Sequence, residues 1–244
     1  MMTLYSYLLK NKQIDKSCQY LIKDLLFIVI PPVITCIKEN EFNQCSKLYQ
    51  IVIPISVKSI ERSAFQNCKL LKRITIPNSV TSIGPYAFAG CSHLQFIRIP
   101  NSVTSIEFCA FYECISLENI LLSKSLSSID ESVFCGCKKL KSITIPFSII
   151  LIEPFAFSEC ESLNDVLFDR PSKLTTIGYG AFNECKNLPK ITIPKSVKSI
   201  CNKAFKDCIN LLFIYTSPVL EYIGPDALEE GTNRDYYDPN EWIF

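Results

Sequence analysis

Eight cysteines set the frame of this chain: Cys45, Cys68, Cys91, Cys114, Cys137, Cys160, Cys185 and Cys208 follow one another at steps of 23 residues, with a single step of 25. A fixed short period of this kind means that one supersecondary unit is stacked on copies of itself. It restricts the fold more than length or composition does. At 244 residues the ordinary expectation is one or two globular domains; the repeat replaces it with one elongated array.

The residues around each cysteine say what a unit looks like. A phenylalanine stands three positions earlier (Phe42, Phe65, Phe88, Phe111, Phe134, Phe157, Phe182, Phe205) and a leucine three positions later, from Leu48 to Leu211. That spacing predicts about two turns of tight helix with Phe, Cys and Leu facing inward. The apolar spacing then falls to two, as in Ile51/Ile53, Ile74/Ile76, Ile97/Ile99 and Ile143/Ile145. Alternating β-branched residues predict a short strand with one buried face. Pro54, Pro77, Pro100, Pro146 and Pro194 end that strand, because proline has no amide hydrogen to continue a ladder. Two positions on, Ser56, Ser79, Ser102, Ser125, Ser148 and Ser196 can satisfy corner backbone groups with their hydroxyls. A second inward pair, such as Val80 and Ile83, leads back to Ala-Phe. One such unit cannot bury its apolar face alone; a stack can.

The pattern Cys-x-x-Leu-x-x-Ile-x-Ile-Pro-x-Ser-Val-x-x-Ile-x-x-x-Ala-Phe resembles the leucine-rich repeat of the BspA-like class, and it covers residues 25–231. The resemblance implies a leucine-rich-repeat solenoid: a curved, right-handed, β-rich horseshoe of the α/β type. About nine coils would line a parallel concave sheet, with short helical or 3-10 turns on the other side. It also implies relatives that are surface antigens or adhesins, and hence a cell-surface location and a protein partner or host-surface ligand.

The chain carries 25 basic and 24 acidic residues, so no global field points to nucleic acid or an anionic membrane. With 48% hydrophobic residues it has the material for a continuous core. Thirteen cysteines invite a disulfide framework, but the number is odd and eight of them share one inward position. The reading taken is a column of reduced, buried thiols that pack as small hydrophobes; reduced thiols suit a cytosolic history.

Residues 1–24 depart from the repeat. Ile14, Cys18, Leu21, Ile22 and Leu25 recur at helical spacing, which predicts an amphipathic helix capping the open end of the stack. Met1 to Leu9 is uncharged, yet no basic region precedes it and no small-residue cleavage site follows, so a signal peptide is not expected. The uncharged run Leu25 to Ile37 is too short to span a bilayer and reads as a degenerate first coil. Ser123 replaces the corner proline of one coil. The 25-residue coil has its surplus in Asp169-Arg-Pro-Ser-Lys173, either a recognition loop or a tolerated bulge. Residues 232–244 read as an acidic, aromatic tail or cap, whose aromatic side chains could alternatively form a partner peptide.

The search for chemistry returns little. The single histidine, His93, has no partnered base, and neither a nucleophile elbow nor a phosphate loop occurs. Cys135-Gly-Cys137 lacks the second cysteine pair that a zinc site needs. No catalytic residue, metal or cofactor is expected. What remains is the sheet face, because side chains alternate along a strand. Arg73, Phe96, Arg98, Leu121, Leu167, Phe213 and Tyr215 are assigned to its outward positions. They read either as a binding surface or as ordinary scattered exposure. The expected function is a monomeric, non-enzymatic protein-binding module without a membrane span. It would be surface-presented according to the resemblance, or an intracellular scaffold according to the thiols and the absent signal sequence.

Overall fold

The computed structural model describes residues 22–236; most of the expected N-terminal helical cap lies outside them. Each coil supplies a first strand and, past its corner, a second. In chain order these are β1 (Phe27–Val29) and β2 (Cys36–Ile37), β3 (Gln50–Val52) and β4 (Ser59–Ile60), and β5 (Arg73–Ile74) and β6 (Ser82–Ile83). Then come β7 (Phe96–Arg98) and β8 (Ser105–Ile106), β9 (Asn119–Leu121) and β10 (Ser128–Ile129), and β11 (Ser142–Ile145) and β12 (Leu151–Ile152). The array ends with β13 (Asp165–Phe168) and β14 (Thr176–Ile177), β15 (Lys190–Thr192) and β16 (Ser199–Ile200), β17 (Phe213–Thr216) and β18 (Tyr222–Ile223), and a last strand β19 (Asn233–Tyr236). Every pairing is parallel and joins neighbouring coils in the repeat register, for example Ile28↔Ile51, Ile51↔Ile74 and Ile97↔Ile120. The result is a parallel-strand solenoid of about nine coils, as the period predicts.

The Phe-Cys-Leu side differs from the expected run of helix. Its three-residue spacing is met by separate i→i+3 turns: in one coil the Ala64, Gln66, Cys68 and Leu71 amides donate to the Glu61, Ser63, Phe65 and Cys68 carbonyls at 3.0–3.2 Å. Ser63 and Asn67 lie in the left-handed region (φ 52° and 58°), so the turns cannot fuse into a helix. The intervening amides are thereby free to donate to the next coil. Ser63 N–H reaches Pro85 O (2.8 Å), Phe65 N–H reaches Ala87 O (2.7 Å) and Asn67 N–H reaches Ala89 O (2.7 Å). The same two left-handed positions recur at Tyr86 and Gly90, Cys109 and Glu113, and onward to Lys203 and Asp207.

Inside this side the eight phenylalanines form one stacked column, with centroids 5.1–5.6 Å apart from Phe42 to Phe205. The ladder thiols lie beside it, fully buried, and the twelve described cysteines are all free. They do more than fill space. Cys68 Sγ donates to Phe42 O (3.1 Å), Cys91 Sγ to Phe65 O (3.2 Å), and so on to Cys208 and Phe182 O (3.0 Å). Each thiol from Cys68 to Cys208 therefore binds its coil to the phenylalanine carbonyl of the coil before. The corner serines behave as expected at Ser56, Ser79 and Ser125, whose hydroxyls donate to Ile34 O, Val57 O and Asn101 O. Ser102, Ser148 and Ser196 occupy the same position without a partner.

The first strands form three sheets, β1-β3-β5-β7-β9, β11-β13 and β15-β17-β19; the second strands form two, β2-β4-β6-β8 and β10-β12-β14-β16-β18. Each interruption coincides with a departure from the repeat. Val133 stands where the neighbouring coils have Ala110 and Ala156, and there the ring spacing is widest, 5.6 Å between Phe111 and Phe134. At this coil β8 and β10 fail to pair, although Phe111 N–H still reaches Val133 O at 2.9 Å. In that coil Ser123, in place of proline, donates to Val103 O (2.6 Å) and reshapes the corner after β9. Between β13 and β15 two causes combine. The insertion bulges at Asp169–Lys173, and Pro189 occupies the position at which Lys141 and Asn164 donate their amides to the preceding coil.

Candidate functional site

The first-strand face gathers part of the expected set. Arg73 lies directly opposite Phe96, and Arg98 opposite Leu121, so these four side chains occupy three adjacent strands. Phe96 and Leu121 are 47% and 54% exposed. Leu167 is equally exposed but belongs to the separate β11-β13 sheet, opposite Thr144. Phe213 and Tyr215 stack on each other at the far end, with centroids 6.1 Å apart. Tyr215 is only half-buried to solvent, and β19 pairs alongside it, Tyr215 opposite Asp235. Part of the stretch read as a tail, residues 233–236, thus adds an edge strand; residues 237–244 lie outside the described range.

Two exposed members were missed. Phe27 and Val29 continue the Gln50 and Val52 columns onto β1. Their signal was present: Phe27-Ile28-Val29-Ile30-Pro31 matches Gln50-Ile51-Val52-Ile53-Pro54 position by position.

Charge is divided between the two sides of the coils. The segments 105–114, 128–137, 151–160 and 176–185 bear Glu107, Glu113, Asp130, Glu131, Glu153, Glu159 and Glu184 and no lysine or arginine. Burial and the nearby Asp130 and Glu131 raise the Glu153 carboxyl above its ordinary range. On the strand side, segments 69–78 and 92–101 bear Lys69, Lys72, Arg73 and Arg98 and no acid. Among the described residues none of these four cations forms an ion pair, whereas Lys141 and Lys138 farther along are paired with Glu118 and Glu161. The near-zero net charge is a cancellation between sides.

A cleft of about 870 Å³ opens where β13 and β15 fail to pair. Leu167, Phe168, Arg170, Lys190, Thr192 and Lys195 contribute to its walls. The insertion therefore widens the strand face locally.

Among the described residues no reactive constellation accompanies these surfaces. His93 is exposed, with Nδ1 2.8 Å from Lys69 O. The half-exposed Cys36 thiol is pushed up to about 11 by burial and by the hydrogen bond to Glu61, and burial takes Cys135 to about 12. A thiol raised in this way is a poor nucleophile at neutral pH. Among the described residues no group of three or more His, Cys, Asp or Glu side chains is placed to hold a metal ion, and no helix is long and apolar enough to cross a membrane.

Six copies of the BspA type leucine rich repeat region match the chain over residues 12–141 and 127–235. The chain belongs to this family. Among solved structures, a leucine-rich repeat protein from Bacteroides ovatus ATCC 8483 is 25% identical, with a TM-score of 0.53 over 88% of this chain and 84% of that one. A leucine rich cell surface protein from Faecalibacterium prausnitzii A2-165 is also 25% identical, with a TM-score of 0.56 over 93% of this chain and 63% of that one. The T. pallidum leucine-rich repeat protein is 27% identical, with a TM-score of 0.62 over 67% and 78% respectively. No curated protein matches significantly. In this BspA-type array the packing constrains inward positions alone, which leaves the outward ones free to differ from coil to coil.

Proposed function

We propose that this BspA-type array is a non-enzymatic binding module, presented at the cell surface, whose strand face engages a protein partner. The observation that carries the reading is the register of Arg73, Phe96, Arg98 and Leu121, which sets arginines against exposed apolar side chains on neighbouring strands. Arginine and aromatic side chains are the residue types that protein interfaces concentrate, and exposed leucine beside them adds apolar area. The filled core supports the same reading, since Phe, Cys, Leu and Ile occupy the interior from Ile22 to Ala227. The similarity to a leucine rich cell surface protein supports the location.

Replacing Phe96, Arg98 and Leu121 together by serine is expected to weaken capture of the native partner at least tenfold, about 1.4 kcal/mol. The circular-dichroism spectrum and melting curve should hardly change. Undiminished capture by the folded triple variant would move the site off this patch. Protease shaving of intact cells tests the location: a surface module is digested, an internal scaffold is spared.

A further inference from the structure

We infer that the partner surface recognised by the N-terminal half of the strand face is acidic and amphipathic: carboxylates interspersed with apolar side chains on a protein or peptide. This deepens, and rests on, the assignment of that face as a binding surface. Three observations lead to it. Lys69, Lys72, Arg73 and Arg98 lie within two consecutive coils whose strand-side segments contain no acid, and none of the four has an ion-pair partner among the described residues. Exposed Phe96 shares β7 with Arg98, and exposed Val52 and Leu121 stand on the strands that pair with β5 and β7, so cations and apolar groups alternate across the face. The opposite side of the following coils is purely acidic between Ser105 and Cys114 and between Ser128 and Cys137. The array is thus polar across its thickness. An acidic partner is drawn to the strand face and repelled from the turn side, which fixes its side of approach.

Arg73 on β5 and Arg98 on β7 stand on neighbouring paired strands. Neighbouring strands are about 4.8 Å apart, so Arg73 and Arg98 reach side chains one or two strands apart on a partner. Guanidinium groups pair with carboxylates in a two-pronged geometry that a lysine cannot reproduce. An arginine-to-lysine change should therefore cost binding even though charge is conserved.

The test uses the full chain and three fluorescein-labelled probes: a 16-residue peptide of repeated Glu-Leu-Glu-Phe, its Lys-Leu-Lys-Phe counterpart, and a 16-nucleotide oligo-dT. Fluorescence anisotropy should show the acidic peptide bound at least tenfold more tightly than the basic one. Binding should fall about tenfold between 50 and 300 mM NaCl, and again in the R73E/R98E variant. Reversal of turn-side charge in E107K/E131K should leave it within twofold. Equal binding of the two peptides, or tighter binding of oligo-dT, overturns the inference. Should the basic peptide bind best and lose its affinity in a Phe96→Ser, Leu121→Ser variant, the face is correct and the partner chemistry wrong. Should neither variant affect any probe, both the inference and the assignment of the face fall.

Discussion

The turn side and the strand side of the same coils are held together very differently. On the turn side every described coil is joined to the next by the same bonds: Phe N–H to the next coil's Ala or Val carbonyl, ladder Sγ to the previous Phe carbonyl, ring on ring, from Phe42 to Ala227. The strand side breaks after β9 and again after β13, yet the stack continues. The second strands bridge both gaps, β10 with β12 and β14 with β16, so cohesion is shared, and the aromatic column is the contact that runs unbroken from Phe42 to Phe205. The sheet, usually regarded as the backbone of such an array, is the side that tolerates a missing proline, an insertion and a cleft. That tolerance makes it the side on which a binding surface can be varied without unfolding the array.

Alkaline pH should expose this asymmetry most strongly. A thiol is uncharged when protonated, and burial raises Cys91, Cys137 and Cys160 well above the ordinary value and takes Cys114 to about 12. The native stack keeps protons that the unfolded chain releases. Stability is thus fully present below about pH 9 and lost as pH rises towards 12, at up to about 1.4 kcal/mol per thiol per pH unit. Melting temperature followed from pH 8 to 11 should fall steeply, and Cys114→Ala should flatten the slope while lowering the value at pH 8. A flat profile up to pH 11 would remove the thiols from the account of cohesion.

Phe111→Ala should cost about 3–5 kcal/mol, because the ring is fully buried between Phe88 and Phe134 and its neighbours cannot close the gap. On the strand side Phe96→Ala should change stability by less than about 0.5 kcal/mol, as for other surface substitutions. Urea unfolding of both variants checks the contrast. Equal losses would mean that the strand face carries as much of the cohesion as the column does.

The column was legible in the sequence because packing repeats: the same inward side chain is demanded at every coil, so Phe, Cys, Leu and Ile recur in register. The turn geometry was not. Two three-residue spacings fit a helix as well as separate turns, and what decides is the left-handed pair at positions such as Ser63 and Asn67. These columns are occupied by residues as different as Tyr86, Phe155, Gly90 and Glu184, so no residue type marks them. Likewise seven outward residues were assigned by alternation, but alternation could not show that Leu167 sits on a separate sheet or that Tyr215 is flanked by β19. Net charge concealed the division between sides because summation discards position.

Restoring the ladder across the cleft should have a smaller effect. Pro189→Lys supplies the amide that the preceding coil's Asn164 carbonyl lacks, in the arrangement by which Asn164 N–H reaches Lys141 O at 2.9 Å. One such hydrogen bond contributes about 1 kcal/mol net, less the entropy that proline removes from the unfolded chain. The expected outcome is a change in stability below about 1 kcal/mol together with slower hydrogen exchange at Lys190 and Thr192. Unchanged exchange there would show that the Asp169–Lys173 bulge alone keeps the strands apart.

A further small effect concerns the left-handed column itself. Glu159 has φ 57°, and its amide donates to Asn183 O at 2.8 Å, so the conformation is held by main-chain bonding between coils. A non-glycine residue in that region costs roughly 1–2 kcal/mol. Glycine relieves the cost but adds about 0.5–1 kcal/mol of unfolded-state entropy. Glu159→Gly should therefore stabilise the array by about 0.5 kcal/mol, and Gly136, at the equivalent position one coil earlier with φ 74°, shows that the site accepts it. Thr144→Gly on β11 provides the strand-side counterpart: it has no left-handed conformation to relieve and should destabilise by about 0.5–1 kcal/mol. Opposite signs in the two urea midpoints are the expected result. A loss at Glu159 as large as that at Thr144 would mean that the left-handed turns carry no strain, and that their repetition reflects bonding between coils alone.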